Sequence, residues 1–248
     1  MTETMRMWTE ISFNIAYLIV VWGLVIAMTR RRLAVAAGDR RVAGLVRWAF
    51  ALLALGDTGH VGFRVLAYAQ GDLGATFQVF GLELGLVGLG ALSTAITVTF
   101  FYVLMLEVWR TRFDRQYGWF GYALLAAAGL RLVLMIPPAN QWNSVVPPQP
   151  WSLYRNLPLT ILGLGIAYLI LRDARRAGDR AFTWIGIMIL VSYACYIPVI
   201  LFVQQVPTIG MLMIPKTMAY VAIGFIAYAN LYRQASPVVG TEMERQPS

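Results

Sequence analysis

The sequence predicts an all-α membrane protein: a polytopic bundle of seven transmembrane helices, N-terminus outside the cell and C-terminus in the cytoplasm. Three observations predict it. Of 248 residues, 59% are hydrophobic and only 13% are charged, with a mean hydropathy of +0.64, a balance that a soluble core does not require. Apolar runs long enough to cross about 30 Å of hydrocarbon recur along the chain. Basic residues cluster after every second run, as cytoplasmic loops do under the positive-inside rule.

The runs lie at 11–28, 46–69, 80–106, 118–137, 157–171, 182–203 and 208–231, the fifth being the shortest. Only Arg6 precedes the first run and no small-residue cleavage site follows it, so it reads as a retained span and not a signal peptide. Arg30, Arg31, Arg32, Arg40, Arg41 and Arg47 flank the first connection. Arg110, Arg112 and Arg115 follow the third run, Arg172, Arg175, Arg176 and Arg180 the fifth, and Arg233 and Arg245 the seventh. These are 15 of the 20 basic residues, all assigned to the cytoplasmic side. An odd number of spans then puts Glu3 and Glu10 outside.

On the other side, the connection Gln70–Thr76 carries only Asp72, and Pro137–Asn156 holds five prolines with Trp142 and Trp151. The prolines exclude a helix of any length there, and the tryptophans suit headgroup-level anchors of an ordered or interfacial loop. The expected organisation is one domain, 1–233, in a cell membrane with the lipid bilayer as its partner, and a disordered cytoplasmic tail at 234–248. The net charge of +8 follows from the loop clusters, so no nucleic-acid partner is expected. The single Cys195 allows no intrachain disulfide. No internal repeat is visible. The Pro148–Gln149 pair, of a kind seen before one span of a small sugar-carrier family, has no counterpart in the first span.

The informative residues are polar groups at membrane depth, which cost several kcal/mol each unless partnered or used. In GDTGHVGFR, Asp57, His60 and Arg64 stand at i, i+3 and i+7, one face of the second helix. Glu83 is expected at the outer end of the third span, Arg131 near the outer end of the fourth, and Arg155 and Asn156 at the start of the fifth. Lys216, the only lysine against 19 arginines, falls about nine residues into the seventh. The seven ionisable groups converge on the outward half of the bundle, which predicts a polar cavity open to the outside. Arg64, Arg131, Arg155 and Lys216 outnumber Asp57 and Glu83, so the expected ligand is a small anionic group, carboxylate or phosphate. The bland alternative is that Asp57 with Lys216, and Glu83 with Arg131 or Arg64, only pin helices together. Pro198 and Pro215 are expected to break the sixth and seventh helices, and Gly90, Ser93, Thr94 and Thr97 form a small face for close helix approach.

Three function classes follow. The leading one is a transporter or receptor for a small anionic or zwitterionic molecule, bound through Arg64, Arg131 and Lys216, with Asp57 and His60 handling protons. In the second, seven spans with a lone Lys216 in the last, and Tyr196–Pro198 in the sixth, resemble microbial rhodopsins. That resemblance implies a retinal photoreceptor with a Schiff base at Lys216. The sequence departs from it in lacking a mid-membrane acid in the third span, in having Leu212 where an acid is expected one turn before Lys216, and in lacking a tryptophan near Pro198. The third class is a membrane enzyme acting on lipid or envelope substrates with Asp57, His60 and Glu83 as acid, base or metal ligands. No HxxxH, HExxH or GxSxG spacing supports it, so an enzyme is the weaker expectation, no metal site is assigned and the cofactor stays open.

Overall fold

The structure, a computed structural model, describes residues 3–79 and 81–233. The predicted tail at 234–248 lies outside them. Seven helices follow in order: α1 (Glu3–Arg30), α2 (Arg40–Ala69), α3 (Leu86–Arg112), α4 (Trp119–Leu134), α5 (Trp151–Arg176), α6 (Arg180–Phe202) and α7 (Met213–Leu231). Among the described residues, six are long and apolar enough to cross a membrane and α4 is a shorter apolar helix. Its 16 residues span about 24 Å at 1.5 Å per residue. In lipid, such helices satisfy their own backbone groups.

Successive helices run between two ends of the bundle. At the first end, Arg112 of α3 bonds Asp39 before α2 and Asp179 before α6. Tyr117 before α4 donates to Glu107 of α3 at 2.7 Å, and Tyr232 after α7 donates to the Ala43 carbonyl of α2. This arginine end also carries a three-residue connection between α5 and α6, Ala177 to Asp179. Gly178, at φ +67, takes the left-handed position that a helix end needs, and Asp179 N–H reaches back to the Ala174 carbonyl at 2.8 Å. The Asp179 carboxylate then accepts from Phe182 N–H and caps α6.

The opposite end is built from loops and a small hairpin that the sequence reading missed. Strands β1 (Thr76–Val79) and β2 (Leu82–Gly85) pair antiparallel, Thr76 facing Gly85 and Gln78 facing Glu83, and Gly81 turns the chain at φ +77. Phe77 packs with Phe63 and Leu73 on Ala67, Leu86 and Val87. Gly85 N–H donates to the Trp142 carbonyl at 3.1 Å, and Gln204 Nε2 to the Pro147 carbonyl at 2.7 Å. The hairpin, the 135–150 loop and the α6–α7 connection therefore meet at one end.

Four expectations change. The third helix begins at Leu86 and not near 80, because residues 76–85 form the hairpin. The fifth helix begins at Trp151, so it is long and α4 is the shortest; its polar first turns, SLYRN, hid it from a search for apolar runs. The proline-rich loop does hold a short helical turn, Pro138–Asn140, and residues 151–156 are helical. Proline is tolerated in a first turn, where its missing N–H has no helical partner. A 3-10 stretch, Pro207–Leu212, runs directly into α7, whose third residue is Pro215, so this proline stands where the seventh span changes from 3-10 to α, whereas Pro198 lies inside α6 and Pro158 inside α5.

The core runs through the bundle from Phe50, Phe101, Met105 and Leu162 to Ile189 and Ile223. The small face of α3 works as expected. A Cβ on Gly56 of α2 would strike Thr97, one on Gly59 would meet Ser93, and one on Gly90 would lie 3.0 Å from the His60 backbone. At the hairpin end a Cβ on Gly88 would collide with the Trp142 carbonyl, which is backbone and cannot rotate away. Gly88→Val is therefore expected to destabilise the protein by about 2–3 kcal/mol in a denaturant or thermal unfolding experiment. An unchanged midpoint would mean that the loop does not lie on α3.

Candidate functional site

Arg131 stands in the last turn of α4 with only 2% of its surface exposed. One guanidinium nitrogen donates to Thr99 Oγ1 of α3 at 3.0 Å. Thr99 is free to accept because its own proton goes to the Ala95 carbonyl. Among the described residues Arg131 Nε has no hydrogen-bond partner, and no carboxylate lies within 4.0 Å of the group. The α4 carboxyl end favours a cation by about 0.3–1 kcal/mol, up to about 2. Burying an ion without a counterion costs several. The guanidinium is under-compensated.

Arg155, on the second turn of α5 and 7% exposed, lies over the Trp142 ring at 4.3 Å and donates to Asn140 Oδ1 at 3.2 Å. Asn140 is fixed by donating to the Leu134 and Pro137 carbonyls, so the loop clasps the arginine. Lys216 Nζ lies 4.7 Å from the Tyr196 ring centre and 5.4 Å from that of Tyr220. Among the described residues neither Arg155 nor Lys216 has a carboxylate within 4.0 Å. Arg131 is the common neighbour, in electrostatic reach of both Arg155 and Lys216.

Around these cations α3, α6 and α7 set tyrosines edge to face. Tyr102 and Tyr220 share a hydrogen bond at 2.8 Å, Tyr196 donates to Asn156 Oδ1 at 3.0 Å, and Tyr193 donates to the Leu159 carbonyl at 2.9 Å. Tyr193 approaches α5 where Gly163 leaves room, since a Cβ there would overlap its ring. Aromatic faces and hydroxyl oxygens replace part of the lost hydration of a cation, but they carry no negative charge.

Asp57 of α2 is the carboxylate whose field reaches Lys216. It accepts from Tyr17 of α1 at 2.7 Å and from Thr94 of α3 at 2.9 Å, a link between three helices. His60 and Arg64 continue the same α2 face toward the hairpin end; both are half-buried and make contacts of their own. Glu83 is not with them. It is exposed on β2 and accepts from Thr76 across the hairpin at 2.9 Å. Neither Glu83–Arg131 nor Asp57–Lys216 is an ion pair within 4.0 Å. The acid, base and metal set of Asp57, His60 and Glu83 is thus not assembled. Of the predicted residues, Arg131, Arg155, Lys216 and Asp57 come together.

No family model, curated protein or solved structure matches this chain. What it does must therefore be argued from its own groups. Sequence reasoning missed Tyr220, Thr99 and Asn140 and took up Tyr196 only in the rhodopsin resemblance, although Ser192, Tyr193 and Tyr196 at i, i+1 and i+4 gave a visible polar stripe in the sixth span.

It also read the arginine clusters as topology signals alone. Glu107 accepts from Arg41 and Arg110, and its hydrogen bond from Tyr117 helps burial push that phenol up to about 12. Asp173, 1% exposed, accepts from Trp109 at 2.9 Å, from Arg172 at 2.8 Å and from Arg115 at 3.4 Å. Acids pair with arginines at this end, while Arg131, Arg155 and Lys216 have no carboxylate within 4.0 Å among the described residues.

Proposed function

We propose that the chain crosses a cell membrane seven times, hairpin outside and arginine end in the cytoplasm, and binds a small anionic or zwitterionic molecule as a transporter or receptor. The observation that carries the reading is Arg131: buried to 2% exposure, with an unpartnered Nε and two further cations in reach. A ligand carboxylate or phosphate supplies the missing negative charge, and guanidinium groups bind such oxygens through paired N–H donors. Asp57, and His60 beside it on α2, then balance the site's charge or pass protons.

Purified protein screened against acetate, succinate, glutamate and inorganic phosphate tests this directly. Lys216→Ala is expected to weaken the bound anion about tenfold or more, the worth of one charge-assisted contact, and Asp57→Asn to shift the pH dependence of binding or uptake. If neither change affects any ligand, the reading fails. For orientation, Cys195→Ser leaves no cysteine. Added to that background, Gln78→Cys is expected to react with an impermeant maleimide on intact cells, and Arg32→Cys only after lysis. The reverse pattern would invert the topology.

One observation favours a second reading, the retinal-type photoreceptor. Lys216 is the one primary amine among the site's side chains, held between tyrosine faces with no carboxylate within 4.0 Å among the described residues. A lysine amine can condense with an aldehyde to an imine, losing water, which a guanidinium cannot. Protein made with added retinal and then reduced with borohydride would carry the adduct at Lys216. A colourless, unmodified product removes this reading.

A further inference from the structure

At the arginine end, away from the cation cluster, a recess of about 330 Å³ opens between the α3–α4 connection and the last turns of α5. Arg115, Arg172 and Arg176 line it, and none of its lining residues is acidic. Asp173 lies behind the wall, 1% exposed at its side chain, and accepts from Arg172 and Arg115. Among the described residues Arg176 has no ion pair. One buried acid therefore faces three arginines, and the lining keeps a net positive charge. The backbone of Gly118–Gly121, the uncapped start of α4, completes the rim and adds to that charge without carrying the argument.

The surroundings are those of a membrane boundary. Trp119 at the mouth is 82% exposed, and Tyr168 is 57% exposed with the Arg172 guanidinium 5.8 Å from its ring centre. Exposed aromatic rings beside arginines are the composition of an interfacial belt. The volume is at the small end for ligand sites. It suits a polar headgroup, with acyl chains left outside along Trp119 and Tyr168. Basic pockets between helices at the cytoplasmic surface meet the anionic lipids of that leaflet.

We propose that this recess holds the phosphate-bearing headgroup of an anionic phospholipid. The inference does not rest on the proposed anion site, which lies toward the other end of the bundle. The test is lipid retention by native mass spectrometry, after delipidation in neutral detergent and addition of phosphatidylglycerol or phosphatidylcholine. Phosphatidylglycerol is expected to be retained preferentially, about fivefold less by Arg176→Gln and about 25-fold less by Arg115→Gln/Arg176→Gln, while Arg176→Lys keeps most of it. Arg31→Gln, on a different loop, serves as the unaffected control. Because Arg176 makes no ion pair, the single variant leaves the fold intact, which its unfolding temperature verifies. Equal retention of both lipids, or unchanged retention in the double variant, overturns the proposal. So does displacement of the lipid by an equal concentration of inorganic phosphate or glycerol phosphate, which would make the ligand a soluble one.

Discussion

Arg131→Met is expected to raise the unfolding temperature of the ligand-free protein, an unusual outcome for a residue 2% exposed in a packed interior. Three effects compete. Losing the charge-assisted Thr99 hydrogen bond and the favourable α4 helix end costs about 2–4 kcal/mol in all. Removing a guanidinium that lacks a carboxylate relieves a desolvation penalty of several kcal/mol. An unbranched thioether, shorter but flexible, also fills irregular space with little strain. Exchanges of buried ion pairs for well-packed apolar side chains are neutral or stabilising by about 1–4 kcal/mol, and the sum here lies in the lower half of that interval. A structural arginine behaves oppositely, so a drop of more than about 1 kcal/mol would assign Arg131 to packing and not to binding.

Asp173→Ala is expected to destabilise by about 3 kcal/mol. Its carboxylate is the acceptor for Trp109 Nε1, itself almost wholly buried, and leaving a buried N–H without an acceptor costs about 1–3 kcal/mol. Arg172 and Arg115 lose their counterion as well, but their side chains are 33% and 47% exposed. Solvent screening limits each to less than about 1 kcal/mol. Arg115→Ala alone is accordingly expected to stay within about 0.5–1 kcal/mol. Unfolding in mixed micelles measures both, and equal losses from the two variants would contradict this ordering.

Hydropathy and the spacing of arginine clusters made the helical bundle legible, because lipid-length apolar runs leave little choice of backbone structure. The hairpin escaped because it is short and runs directly into the third apolar run. Thr76 to Gly85 alternates only partly, and its turn rests on a single glycine, Gly81. The start of α5 escaped because its first turns, SLYRN, are polar and a search for apolar runs begins only after them. Placing Glu83 in a span followed from the missed hairpin.

Of the site, the place of Asp57, Arg131, Arg155 and Lys216 along their helices could be read from the sequence. Their partners could not. Helix rotation decides that Arg131 meets Thr99 and that Lys216 meets Tyr196 and Tyr220, and the distance from Asp57 to Lys216 depends on how α2 and α7 pack. At the arginine end, RDARRAGDR holds two acids among its basic residues. Their pairing with Trp109 and Arg112 of α3 is long-range and leaves no local signature.

The most direct test of the central claim is the unfolding temperature of wild type and Arg131→Met over a panel of small carboxylates and phosphates. The account predicts that at least one anion raises the wild-type midpoint as its concentration rises, as binding to the folded state must, and leaves the variant unmoved. An anion response of equal size in both proteins, or none in wild type, would contradict it.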